Sequence, residues 1–236
     1  AASPRLAIEQ GTVMQAWLQD LEPMDVPRVA KLPNMTHTNK GFEYWSTMQW
    51  IELNNARAPF NDKRFRQALM YAINRKFIAE KIMVGQGVPA TGPIHHNTRF
   101  YDSNVKKYDY DPEKAIALLD EMGVKPNGDG VRVSVSMIPL PYGEMPRRVA
   151  EYIKQNLSKV GIALNLESTD VGGWVSRVGN WVYEMAGNGV FQYADPAIGV
   201  ARTYLGSNIR KGVMFSNTSQ YSNPKVDELF NLAAKA

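Results

Sequence analysis

The chain is predicted to be an α/β protein, and three adjacent stretches carry that prediction. Val131, Val133, Val135 and Met137 alternate with Arg132, Ser134 and Ser136, the period-two pattern of a strand with one face buried. Pro146 then opens a helical pattern with Val149, Ile153, Leu157 and Val160 on one side, closed by Gly161, after which Ile162, Leu164 and Leu166 alternate again. A strand, a crossover helix and a second strand make a βαβ unit, whose connection is nearly always right-handed.

The remaining elements follow in order. Residues 3–33 carry apolar positions from Leu6 to Leu21, and Asp25-Val26-Pro27 reads as a helix start leading to Val29 and Leu32. Between Thr36 and Asn54 the residues Phe42, Tyr44, Trp45, Trp50, Ile51 and Leu53 predict one or two strands. A Pro-containing turn leads into a helix with Phe65, Ala68, Leu69, Ala72 and Ile73 on one face and Asn61 as its expected N-cap. A second helix restarts at Asn74, using Phe77, Ile78 and Ile82. Gly85 to Lys107 has no sustained period and reads as a long loop. Asp111 caps a helix with Pro112 first, Ala115, Leu118, Leu119 and Met122 inward, and Gly123 at its end. Beyond the βαβ unit, Trp174, Val175, Val178 and Trp181 predict a short helix, and residues 182–186 a strand. Gly187 to Asp195 is expected to be a glycine-rich loop, and Asp195-Pro196 to start a helix running through Ala201, Tyr204 and Leu205. Asn223-Pro224 starts a last helix with Val226, Leu229, Phe230 and Ala233, which reaches the final residue with no C-cap.

Composition narrows the function classes. With 236 residues, 44% hydrophobic and 21% charged, the sequence is globular and long enough to bury a sizeable core. Its net charge of +4 is spread thinly, with no basic run longer than a pair, so nucleic acid is not an expected partner. Cysteine is absent, which removes disulfides and thiolate metal sites. No apolar run approaches the ~20 residues that span a bilayer. The first residues, Ala1-Ala2-Ser3-Pro4-Arg5, are not a signal peptide; an exported protein is expected to have lost its signal before this point.

No catalytic constellation is visible. There is no Gly-x-Ser-x-Gly elbow and no phosphate-loop pattern, and no serine or acid stands in a recognisable arrangement with a histidine. The sequence therefore predicts no enzyme, no cofactor and no metal centre; the pair His95-His96 reads as solvated loop residues, since adjacent side chains point apart. Two features suit ligand binding. Tyr44, Trp45 and Trp50 offer flat apolar surface with polar edges, against the alternative that they are core residues of the strands. The segment from Gly187 to Asp195 offers glycines that permit close backbone approach, against the alternative of a turn-rich connection.

Five segments in order carry a resemblance: Leu53-Asn54-Asn55 through Pro59-Phe60-Asn61-Asp62-Lys63-Arg64-Phe65-Arg66-Gln67-Ala68-Leu69 to Arg75; Gly85 to Ile94; Tyr108 to Ala115; Arg148 to Ile162; and Tyr221-Ser222-Asn223-Pro224-Lys225-Val226-Asp227-Glu228-Leu229. Together they resemble the bacterial extracellular solute-binding proteins of family 5, the peptide and nickel class of receptors that feed ABC importers. The resemblance implies a periplasmic-binding-protein-like lobe of class II, oligopeptide-binding type, with a mixed sheet flanked by helices. It also implies that residues 1–24 end the first lobe or connect the lobes, and that residues 25–236 are the second lobe, truncated at its C-terminal end.

Function then follows as an expectation: capture of a peptide or other small polar solute between two lobes, and delivery to a membrane permease. The implied setting is periplasmic, or extracellular and membrane-anchored. A ligand-sensing domain of a transcriptional regulator built on the same fold is the alternative. Ligand contacts are expected at Tyr44, Trp45, Trp50, Asn188, Phe191, Gln192, Tyr193 and Asp195. Peptide-binding members place an acid a few residues before an acidic-Pro pair, where it meets the peptide α-amino group. Here Asp195-Pro196 matches the pair, but the earlier position falls on Gln192 or Phe191, neither of which is charged. A sugar, an opine-like compound or a modified peptide therefore competes with a free peptide as ligand.

Overall fold

The computed structural model describes residues 4–16, 20–40, 45–193 and 195–235, with backbone placement alone at 45, 46, 192 and 193. Its centre is a four-stranded sheet of β1 (Trp45–Leu53), β2 (Val133–Ile138), β3 (Ile162–Leu166) and β4 (Met185–Tyr193), in the order β1-β4-β2-β3. β4, β2 and β3 are parallel, and β1 runs antiparallel along β4. The predicted βαβ unit is present: α6 (Met145–Ser158) connects β2 to β3, with Ala150, Ile153 and Leu157 buried. Gly161 closes that helix at φ +80°, where a Cβ would stand 2.9 Å from the Gly130 carbonyl oxygen, so both its backbone conformation and its space call for glycine.

The connections wind to both faces of the sheet. On one face α3 (Lys63–Ala72), α5 (Pro112–Glu121) and α6 enclose the larger core, in which Phe60, Phe65, Leu69, Leu119, Ile153 and Leu157 meet Val135, Leu164 and Met185 of the strands. Burying each such side chain contributes roughly 1.5–3 kcal/mol. On the other face α7 (Val171–Gly179) places Trp174 and Val178 against Ile138, Tyr183 and Ala186, a second and smaller core. An α/β sheet covered on both faces, mixed because of its antiparallel edge, is the predicted class.

Local chemistry explains most element starts. Asp111 accepts from the Lys114 amide ahead of Pro112, and Asn223 from the Lys225 amide ahead of α9 (Pro224–Ala233). Asn74 accepts from Phe77 at the start of α4 (Arg75–Phe77), which continues as a π-helical turn over Ile78–Ile82. The cap of α3 differs from expectation by one residue. Asp62, not Asn61, takes extended φ/ψ and accepts from the Arg64 amide at 2.7 Å, because its carboxylate can also hold the Arg64 guanidinium. Short helices α1 (Pro4–Glu9) and α2 (Val26–Val29) are tied by ion pairs from Arg5 to Glu9 and Asp25 and from Arg28 to Glu9. Gly85 to Lys107 is irregular as predicted, and Arg75 clamps it by donating to the carbonyls of Ala90 and Tyr108.

Two expectations fail near the end of the chain. The segment from Gly187 onward is not a loop but the body of β4, paired with β1 in unbroken register from Leu53↔Met185 to Trp45↔Tyr193. Its glycines answer to protein rather than to open space: a Cβ on Gly187 would lie 2.7 Å from the Leu140 backbone nitrogen, where the β2–α6 connection crosses the strand. The helix begun by Asp195-Pro196 is also shorter than predicted. It spans only α8 (Pro196–Gly199), and two 3₁₀ turns, Ala201–Thr203 and Gly206–Asn208, replace its continuation. Asn217, fully buried, donates to the carbonyls of Tyr204, Leu205 and Tyr221 and holds that segment in a fold of its own.

Candidate functional site

β2 pairs with β4 only at Met137↔Met185 and Ile138↔Ala186, so beyond Ala186 the β1–β4 pair leaves the sheet as a two-stranded ribbon. The ribbon starts at the carboxyl end of the parallel strands. There the chain has wound to opposite faces through α6 and α7, the location at which doubly wound sheets bind ligands. Trp50 and Asn188 face each other as a residue pair at the base of the ribbon, and Gln192 pairs with Ser46 four residues further along. The structure therefore joins the two features that the sequence presented separately.

The expected contact residues are not one cluster. Strand alternation puts Met48, Trp50 and Glu52 on the side of the smaller core, together with Ala186, Asn188 and Val190 of the partner strand. Phe191 belongs to the alternate set. Asn188 is buried, and its amide is committed: Nδ2 donates to Glu52 at 2.9 Å and Oδ1 accepts from the Gly189 amide. Trp50 is partly exposed, and its Nε1 donates to the same Glu52 oxygen at 2.6 Å. Asp195 is exposed and caps α8 through the Ala197 amide. Tyr44 lies outside the described residues, and at Trp45, Gln192 and Tyr193 only the strand positions are described.

Sequence reasoning missed Glu52 and Thr218. Glu52 is a carboxylate at 5% exposure, and its second oxygen accepts from the Thr218 hydroxyl at 2.6 Å; Thr218 is fully buried, and its carbonyl accepts from the Tyr183 hydroxyl. The apolar-polar alternation of β1 signals strand, but partners 136 and 166 residues away leave no local trace. Burial, and secondarily the Glu52 charge, push the Tyr183 phenol far above its usual value, and the same two causes, with Tyr221, push Tyr204 up to about 12. A phenol with a raised folded pKa stabilises the fold fully below the unfolded value near 10 and loses that contribution as pH rises through the folded pKa. Thermal midpoints measured from pH 8 to 11.5 should therefore hold steady to about pH 10 and then fall, as stability drops by as much as ~1.4 kcal/mol per pH unit for each phenol. Tyr183→Phe should decline less steeply above pH 10.

The rings of His95 and His96 do not point apart as expected but lie 4.3 Å between centroids, tilted by 30°, and burial followed by the His96 charge moves the His95 imidazole below its usual pKa. Among the described residues no group of three or more His, Cys, Asp or Glu is placed to hold a metal ion. Two surface depressions, one of about 650 Å³ beside Tyr71, Asp111 and Lys114 and one on the flank of α6, include none of the expected contact residues. Among the described residues no helix is long and apolar enough to cross a membrane.

A doubly wound α/β sheet extended at its carboxyl end by a two-stranded ribbon, whose Trp50, Asn188 and Thr218 side chains all donate to Glu52, is the arrangement the chain presents. The chain belongs to the bacterial extracellular solute-binding proteins of family 5, whose middle-region model matches residues 1–212. It is 31% identical over 158 residues to the dipeptide-binding protein of Escherichia coli K12, covering 67% of this chain and 28% of that protein. It is 30% identical over 188 residues to heme-binding protein A of Haemophilus influenzae, covering 78% of this chain and 33% of that protein. The fold matches the periplasmic binding protein DppA of Helicobacter pylori, solved with the peptide STSA, at a TM-score of 0.84 and 23% identity over 98% of this chain and 43% of that one. The chain thus spans well under half the length of these proteins.

Proposed function

We propose that this chain is one lobe of a two-lobed receptor for an ABC importer, which encloses a peptide or other small polar solute and presents it to a membrane permease. Residues 1–24 then belong to the first lobe or the connection, and residues 25–236 to the second. The observation that carries the reading is the β1–β4 ribbon, which sets partly exposed Trp50 beside Asn188 at the carboxyl end of a family 5 sheet. Relatives named for binding dipeptides and heme support a binding role with a variable solute. α9 has no buried residue, and Leu229 and Leu232 are more than half exposed, which suits a helix that packs on chain outside this segment.

Such a receptor works by population shift: a ligand touching both lobes favours the closed state, by as much as its affinity for the closed form exceeds that for the open one. No bond is made or broken. The proposed setting is the periplasm or the outer face of the membrane. The test is mass spectrometry of the intact protein purified without refolding, followed by thermal denaturation with the solute found. A retained small solute that raises the melting temperature and is recovered unchanged is the expected result. Conversion of the solute to product, or the absence of any stabilising solute, refutes the proposal.

A further inference from the structure

Glu52 is a buried carboxylate without a counter-charge. Trp50 Nε1, Asn188 Nδ2 and Thr218 Oγ1 donate to it at 2.6, 2.9 and 2.6 Å, and among the described residues no Lys, Arg or His forms an ion pair with it. Three neutral donors satisfy its oxygens but bring no opposite charge to it. Of the three donors only Trp50 is partly exposed, so the path from the buried charge to a bound solute runs through its indole.

That path has a chemical direction. An indole N–H held at 2.6 Å by a carboxylate is polarised, which enriches the ring in electrons, and a ring of that kind attracts cations to its face. The bond also fixes the ring's orientation, so little freedom is lost when a ligand stacks on it. Asp195 is occupied in capping α8, and Gln192 brings no charge to the ribbon. We propose that Glu52 is the positioning and specificity-determining residue of this site: it holds and charges the Trp50 platform, so that the receptor selects solutes with a cationic nitrogen over neutral solutes of the same shape. The inference rests on the solute-binding reading above.

The test separates charge from scaffold. Glu52→Gln keeps the size of the side chain; its carbonyl oxygen can accept from Trp50 and Asn188 while its amide donates to the Thr218 hydroxyl. Trp50→Phe keeps a ring and removes the N–H link. The intact protein is equilibrated with an equimolar panel of amines and their fully N-acetylated counterparts, comprising tri-alanine, glucosamine and spermidine, and bound material is quantified by mass spectrometry. The wild type should retain at least one amine about tenfold over its acetylated partner, the scale of a partly desolvated cation–π contact. In both variants that ratio should fall to within about twofold. A ratio that survives in folded Glu52→Gln, judged by its melting temperature, makes Glu52 a strand tie alone and overturns the inference; if Glu52→Gln does not fold, the Trp50→Phe ratio decides in the same way. Equal retention of amines and acetylated forms by the wild type, or retention of neither, also overturns it, while the co-purification experiment decides separately whether solute binding itself stands.

Discussion

Replacing Asn217 with alanine should cost roughly 3–5 kcal/mol, a third or more of the stability of a typical domain. The side chain is fully buried, and its two amide protons are shared among the carbonyls of Tyr204, Leu205 and Tyr221, while its oxygen accepts from the Ser219 hydroxyl and the Tyr221 amide. Alanine would strand these groups where water does not reach, and each buried orphan costs about 1–3 kcal/mol. Urea denaturation followed by circular dichroism measures the loss; Ser219→Ala, which removes one peripheral bond to Asn217 and a long one from the Tyr221 amide, should cost about 1 kcal/mol or less in the same assay. A loss below that level in Asn217→Ala would mean that the freed carbonyls find water and that the segment has no hub. The damage should also reach the ribbon, because Thr218, the next residue, is the one that ties Glu52. Hydrogen exchange should quicken first across residues 200–221 and only later in β2 and β3.

Asn217 also shows why some of the fold was legible in the sequence and some was not. The helix starts at Asp111-Pro112 and Asn223-Pro224 could be read because capping is local: the acceptor and the amide it serves lie two or three residues apart. The βαβ unit was legible because its alternation and helical period repeat over enough residues to be unambiguous. β4 was misread because Gly187 and Gly189 look like turn residues. The reason they are glycines is remote, the Leu140 backbone in one case and the Met48 carbonyl, 3.2 Å from a Cβ at 189, in the other. The resemblance to family 5 identified the fold through Asn54, Asn55 and Asp227. In the structure these are joints: Asn54 donates to the carbonyls of Trp181 and Tyr183, Asn55 to that of Ser219, and Asp227 accepts from the Gly206 amide. The candidate site was only half legible for the same reason. Trp50 was visible by type, whereas Glu52, which organises it, has its partners on distant parts of the chain.

Trp174→Ala should destabilise the protein by about 3–5 kcal/mol and loosen the ribbon more than the rest of the sheet. Trp174 is 1% exposed and is the largest member of a small core whose other buried residues are Ile138, Val178, Tyr183 and Ala186. A core of that size has few neighbours able to move inward, so the space left by the indole would persist as a cavity, and the cost grows with cavity volume. The side chain has a second role, because its Nε1 donates to the Gly187 carbonyl at 3.0 Å, where β4 parts from β2 and begins the ribbon. Trp174→Phe separates the two roles. It retains most of the packing and orphans one carbonyl, at about 1–2 kcal/mol. Urea midpoints give the two losses, and hydrogen exchange at the β4 amides locates them, with faster exchange near Asn188 expected in both variants and faster exchange throughout the α7 face only in Trp174→Ala. If the two variants lose equal stability, the hydrogen bond alone supports the ribbon and the smaller core contributes nothing measurable. The expected difference of at least 1–2 kcal/mol instead makes α7 the buttress of the β1–β4 ribbon, holding β4 from behind through packing while Glu52 fixes Trp50 and Asn188 beside it.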